Sequence, residues 1–182
     1  MTRTHRLPWL ALALLLLTGA ARAEQYDLLS ERDFLAAAFA DARPQAGKLR
    51  ISAAMAAELA AVFRHRFRED KVRYWRHGAR TAWRLEEIGK EKPISIGVVV
   101  ENARLVSVAV LVYREGHGMD VAEAAFTQQF AGAALTARGD DANLLDRDID
   151  NITGATLSVR AMTRTARAAL LLDRWLQADN SR

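Results

Sequence analysis

Apolar residues recur along this chain in several rhythms, and the points where the rhythm changes mark its parts. From Leu7 to Leu17 they run without interruption. From Ser30 the spacing becomes helical: Phe34, Leu35, Ala38 and Phe39 share one side of a helix that Ser30 caps, with an acid three positions on, and that ends near Pro44. A second helix is predicted from Ser52 through an alanine-rich stretch with Leu59, Val62 and Phe63. It closes on Arg64, His65, Arg66 and Arg68, cations suited to the negative end of a helix. Between Lys71 and Tyr113 β-branched and aromatic residues take over. Strands are predicted over 72–75, 81–88, 94–100 and 104–113, separated by His77-Gly78, Gly89-Lys90 and Glu101-Asn102-Ala103; the last two are apolar on both faces, as central strands are. Asp120 then caps a predicted helix over 121–130 that places Phe126 and Phe130 on one face. Residues 133–149 read as irregular, with a turn at Gly139-Asp140-Asp141. A final helix over 157–177 carries Val159, Met162, Ala166, Ala169 and Leu170 on one side; Arg160, Arg164, Arg167 and Arg174 form another side, read as a solvated face, with Arg160, in the first turn, also placed to neutralise an anion there.

These elements predict an α+β fold, an antiparallel sheet flanked by helices. An N-terminal helical part, residues 24–70, and a domain over 71–182 are expected to make one globular unit. The first 23 residues stand apart. Basic Arg3 and Arg6, the apolar run and the small-residue pattern Ala21-Arg22-Ala23 are the three parts of an export signal, with cleavage expected after Ala23. A retained anchor is the alternative, but the run is shorter than the roughly 20 residues a membrane span needs. No twin arginine precedes the run, so export is expected to be by the general route, in the unfolded state, to a periplasmic location. Any cofactor must then be added there.

Removing the signal changes the charge. The whole chain is formally +4, with 26 basic and 22 acidic residues, but Arg3, Arg6 and Arg22 fall in the signal and no acid does, leaving +1. No nucleic-acid footprint remains. The chain has no cysteine, which excludes disulfides, iron–sulfur clusters and thiol redox chemistry. No histidine cluster suggests a metal, and no serine–histidine–aspartate spacing suggests a catalytic residue. Electron transfer would therefore need an organic cofactor.

Small and hydroxylated residues gather in one place, Asp150-Asn151-Ile152-Thr153-Gly154-Ala155-Thr156-Leu157-Ser158, directly before the last helix. The first N–H groups of a helix lack intrahelical partners and lie at the positive end of its dipole, which suits a phosphate, and glycine lets the phosphate come close. The segment resembles the FMN-binding domain family, found in exported subunits of sodium-translocating NADH:quinone reductases and of Rnf-type complexes and in many small periplasmic proteins. There the pattern is Asp, two variable residues, Ser or Thr, Gly-Ala-Thr, one variable residue, then Ser or Thr; every fixed position is met. A second block, Tyr113-Arg114-Glu115-Gly116-His117-Gly118-Met119-Asp120-Val121 followed by Phe126, Gln128-Gln129-Phe130 and Gly132, resembles the family's strand, glycine turn and following helix. The resemblance extends over about Lys71 to Leu172. Gly116 and Val159 stand where members often have Ser or Thr.

The resemblance implies that the 71–182 domain binds FMN, joined through its phosphate to Thr156. Asp150, Thr153, Gly154, Ala155 and Ser158 belong to the same cofactor site. Glu115, Gly116 and Gly118 are expected to lie against the flavin, with Glu115 orienting it, and His117 lies in the same turn. In the family a separate flavin transferase, using FAD and Mg2+, attaches the FMN and releases AMP. No nicotinamide-binding glycine pattern occurs. The expected protein is thus an electron-transfer flavoprotein rather than a self-sufficient enzyme, served by another redox protein, a membrane-bound one among the alternatives. The alternative reading is a periplasmic binding or sensing module holding flavin loosely or not at all.

Overall fold

The computed structural model describes residues 25–40, 42–136 and 143–180. The segment read as an export signal and the Gly139-Asp140-Asp141 turn lie outside the described residues. Six antiparallel strands form one sheet, β1 (Tyr26–Asp27), β2 (Gln45–Arg50), β3 (Lys71–His77), β4 (Arg80–Ile88), β5 (Pro93–Glu101) and β6 (Arg104–Tyr113), in the order β1-β6-β5-β4-β3-β2. The helices are α1 (Glu31–Phe39), α2 (Ala53–Phe63), the short α3 (Ala124–Thr127) and the long α4 (Thr156–Asn180). The architecture is the α+β arrangement expected. No described helix is long and apolar enough to cross a membrane.

The sheet is central because β5 is buried on both faces from Ile94 to Val100. Ile94, Ile96, Val98 and Val100 join the larger core with Leu59, Phe63, Met162 and Leu170, while Val99 turns to the smaller core with Phe34, Phe39, Trp75 and Leu111. The first face carries α2 and α4, the second α1. Gly97 makes the second contact possible: a Cβ there would meet the Phe34 ring at 2.7 Å. On α4, Ala161, Ala166, Ala168 and Ala169 are fully buried, and their short side chains let the helix lie close across β4, β5 and β6. That close seating fixes the N-terminus of α4 beside the end of β6.

Ser30 and Ser52 cap α1 and α2 through the N–H groups of Asp33 and Met55. Other expectations are corrected. The N-terminal part is not only helical, since β2 and β1 form the two edges of the sheet. Helix α2 ends at Phe63 because Arg64 adopts a left-handed conformation (φ 61°), so Arg66 and Arg68 lie beyond the helix. The helix expected over 121–130 is broken: Glu123 is extended, and two short 3₁₀ turns, Met119–Ala122 and Gln128–Phe130, flank α3. Phe126 and Phe130 are nevertheless both buried, edge to face at 5.6 Å. The arginine side of α4 is not simply solvated. Arg164 reaches the buried Glu87 at 3.2 Å, Arg174 reaches Glu58 at 3.1 Å, and Arg167 donates to the Asn143 carbonyl.

Candidate functional site

Strand β6 ends at Tyr113, whose side chain is fully buried and aimed at the start of α4. Its hydroxyl has one proton, and the His117 carbonyl, at 2.5 Å, can only accept it. Ser158, at 3.0 Å, must therefore be the donor to Tyr113. Burial, the chief influence, pushes the Tyr113 hydroxyl above its ordinary value and keeps it neutral. This chain of two bonds ties the turn after β6 to the first turn of α4. Gly118 closes the join: at φ 88° it packs so tightly that a Cβ would lie 3.1 Å from both Tyr113 Oη and Ala155 Cβ.

The motif itself is a turn followed by a helix. The Ala155 N–H donates to the Ile152 carbonyl at 3.0 Å, and Gly154, third in that turn, has φ 85°, a position that requires glycine. The Ala155 carbonyl then accepts the first bond of α4, from Val159 at 2.9 Å. Ala155 thus holds the cap position, and alanine has no side-chain oxygen to offer. Among the described residues no acceptor takes the N–H groups of Thr156, Leu157 or Ser158. The helix begins with its donors open to a ligand.

These groups line a cleft of about 820 Å³ between the α4 N-terminus, the turn of Glu115 to Gly118 and the tip of the β4–β5 hairpin. Its size lies within the about 300–1,000 Å³ of small-molecule sites. Glu115, Gly116, His117, Gly118, Thr153, Gly154, Ala155, Thr156 and Ser158 all contribute, so the fold brings together the two blocks read from the sequence. Leu157, 42% exposed at the mouth, presents an apolar surface. Asp150 lines no part of the cleft; its carboxylate is exposed, while its N–H donates to the Gln129 side chain at 2.8 Å, linking the blocks a second time. Ser158 is buried and engaged with Tyr113, so what it presents to the cleft is its N–H rather than its hydroxyl.

Residues 89–171 match the family model of the FMN-binding domain. The chain carries an FMN-binding domain. The matched span opens in the β4–β5 turn and closes within α4, so it contains both blocks, whereas β1 to β4 complete the sheet from outside it. No curated protein and no solved structure matches the chain. The domain fits its cofactor on physical grounds: uncapped helix donors suit a phosphate, the glycine turn leaves room for a bulky group, and the Thr156 side chain is only half buried.

Glu115 takes a place the sequence did not suggest. It is 6% exposed, and one carboxylate oxygen accepts the N–H groups of Lys90, Glu91 and Lys92 at 2.6, 2.7 and 2.9 Å. Gly89 permits this, since a Cβ there would lie 2.8 Å from that oxygen. Burial pushes the Glu115 carboxyl up, but the three N–H groups and the charge of Lys92 outweigh it and hold it below the usual 4.5. Glu115 therefore shapes the hairpin that forms one wall of the cleft. Its stabilisation is present above about pH 4.5 and is lost as pH falls through the lower folded value. Glu115→Ala is expected to cost about 2–3 kcal/mol at pH 7, by the size of charge-assisted hydrogen bonds. Urea titrations at pH 7 and pH 3 should show the difference from wild type shrinking in acid; a constant difference would contradict this role.

Sequence reasoning missed Asn151, whose side-chain amide donates to Thr156 Oγ1 at 2.9 Å. It occupies a variable position of the motif, and only its separation of five residues across the turn could have pointed to it. Lys90 and Glu91 also lie on the cleft wall; the sequence marked Lys90 only as part of a turn and did not single out Glu91.

Proposed function

We propose that this FMN-binding domain carries its flavin covalently, through a phosphoester on Thr156, and serves in electron transfer outside the cytoplasm. The observation that supports this best is the start of α4: a half-buried threonine hydroxyl at the first helical position, beside three N–H groups that no protein acceptor takes. In the transfer, Thr156 Oγ1 forms a bond to the flavin-side phosphorus of FAD, the bond to AMP breaks, and AMP leaves. The hydroxyl proton passes to a base on the magnesium-dependent transferase. Among the described residues no base touches Thr156, since its hydroxyl has one partner there, the Asn151 amide, a donor. The threonine is thus a substrate of another enzyme.

When bound, FMN supplies the capacity to take and release electrons, and the protein supplies position and access. The N–H groups of Thr156, Leu157 and Ser158 would hold the FMN phosphate and stabilise its charge. Gly118 and Tyr113 keep the turn after β6 against α4, and Glu115 holds the hairpin wall. A covalent tether suits an exported protein, because a dissociable cofactor is lost wherever free flavin falls below its dissociation constant. The electron donor is then another redox protein, reached at the exposed mouth.

Co-production with and without a flavin transferase tests the proposal. Protein made with the transferase should stay yellow after denaturation and gel filtration, and protein made without it should be colourless. Flavin that leaves on denaturation would favour a loosely binding module instead. Asp150→Ala is expected to lower flavin loading several-fold while changing stability by less than about 0.5 kcal/mol, because an exposed carboxylate without partners contributes little to folding. Equal losses of loading and of melting temperature would make Asp150 a structural residue.

A further inference from the structure

Thr156 has a second side. Facing away from the glycine turn, it lines another cleft of about 610 Å³, and the wall there is basic. Arg64 reaches it from the end of α2, Arg147 from the segment before the motif, and Arg160, Arg164 and Arg167 from α4, against one lining acid, Asp148, among the described residues. Two of these arginines are answered: Arg164 by Glu87 at 3.2 Å and Arg147 by Asp146 at 3.7 Å. Arg167 donates to a neutral carbonyl, and Arg64 and Arg160 have no hydrogen bond or ion pair among the described residues. Cations gathered in a cleft without matching acids repel one another, and a bound anion removes the cost. The Arg167 guanidinium registers the crowding, since burial and the charges of Arg64 and Arg164 all act against its protonation.

Asn151, whose side-chain amide donates to the Thr156 hydroxyl, lines the arginine cleft and not the glycine-turn cleft. We infer that the arginine cleft is an anion site for phosphoryl groups, separate from the glycine-turn cleft and joined to it at Thr156. Guanidinium groups recognise phosphate oxygens through paired N–H donors, and several of them around one cleft suit a phosphodiester or diphosphate better than a single carboxylate. The phosphoryl group has two sources, the chain's own phosphodiester on Thr156 or a free phosphate ester such as the AMP released in transfer. Both sources rest on the function proposed above, whereas binding of inorganic pyrophosphate by the unflavinylated chain does not.

The test uses the whole chain made without transferase, titrated calorimetrically with inorganic pyrophosphate and with AMP at low salt, together with the flavinylated chain. The unflavinylated protein should bind pyrophosphate, more weakly as salt is added. The double variant Arg64→Gln, Arg160→Gln should bind at least about tenfold more weakly, the effect of losing charge-assisted bonds. Arg160→Lys, which keeps the charge but not the paired donors, should fall between. If flavinylated protein no longer binds pyrophosphate, the tethered phosphate fills the site; if it still binds, the site serves a free ester. Both results support the assignment. Wild-type protein that fails to bind pyrophosphate, a double variant that binds as well as wild type, or a dicarboxylate that binds equally tightly would overturn it. Flavin loading, measured separately on the same preparations, keeps this outcome distinct from the fate of the covalent link.

Discussion

Thr156→Ala is expected to abolish all covalent flavin while leaving the fold intact. In the proposed attachment the Thr156 hydroxyl forms the ester, and neither of the other two hydroxyls of the motif is placed as it is. Thr153 is exposed in the turn ahead of the helix, and Ser158 is buried against Tyr113. The structural loss is small, because the only described partner of Thr156 Oγ1 is the amide of Asn151, an exposed residue that water can satisfy. One such bond is worth about 0.5–1.5 kcal/mol. Thr156→Ser, which keeps the hydroxyl, should still be loaded by the transferase. Absorbance of denatured protein beside a urea titration reads both quantities. Residual covalent flavin in the alanine variant would move the attachment to another residue.

Gly118→Val is the second large effect, and its contrast with Gly116→Val is the informative part. Gly118 has φ 88° and no room, because an added Cβ would lie 3.1 Å from Tyr113 Oη and Ala155 Cβ, and a branched side chain extends further into the same contact. Positive φ in a β-branched residue and overpacking each cost about 1–3 kcal/mol, so a total of about 3–5 kcal/mol is expected. Relief of that overlap would push the turn away from α4 and spoil the cleft. Gly116 has an ordinary φ and nothing within 4 Å of an added Cβ. Gly116→Val should fold within about 0.5 kcal/mol of wild type. Its effect would appear only in the spectrum of the bound flavin. Equal destabilisation by the two substitutions would contradict the described packing of the turn.

Strands β3 to β6 were legible because β-branched and aromatic residues concentrate there, between turns of glycine or asparagine. Edge strand β2 was not. In Gln45–Arg50 only Leu49 is buried, so the alternation that marks a strand is missing, and its pairing with β3 is decided by distant residues. Two-residue β1 carries no pattern at all. The arginines of α4 show the same limit, since the partners of Arg164 and Arg174 lie 77 and 116 residues away, beyond anything helical spacing reports.

The site was legible where chemistry dictates local sequence. Gly154 had to be glycine for its left-handed turn, and Ala155 leaves the helix uncapped, so the motif announces an open helix start. Glu115 was harder. Its three donors come from a hairpin 23 to 25 residues upstream, and the Gly89 that admits its carboxylate reads in sequence as an ordinary turn residue. Asn151 occupies a variable position, so nothing but the fold reveals that it holds the Thr156 hydroxyl.

The central claim, a phosphoester on Thr156, is tested most directly by mass spectrometry of the tryptic peptide Asp148 to Arg160, taken from denatured protein made with an active transferase. The account predicts a peptide heavier by one FMN less one water, with fragment ions that place the addition on Thr156 rather than Thr153 or Ser158. An unmodified peptide from such protein, or an addition on either of the other two hydroxyls, would contradict it.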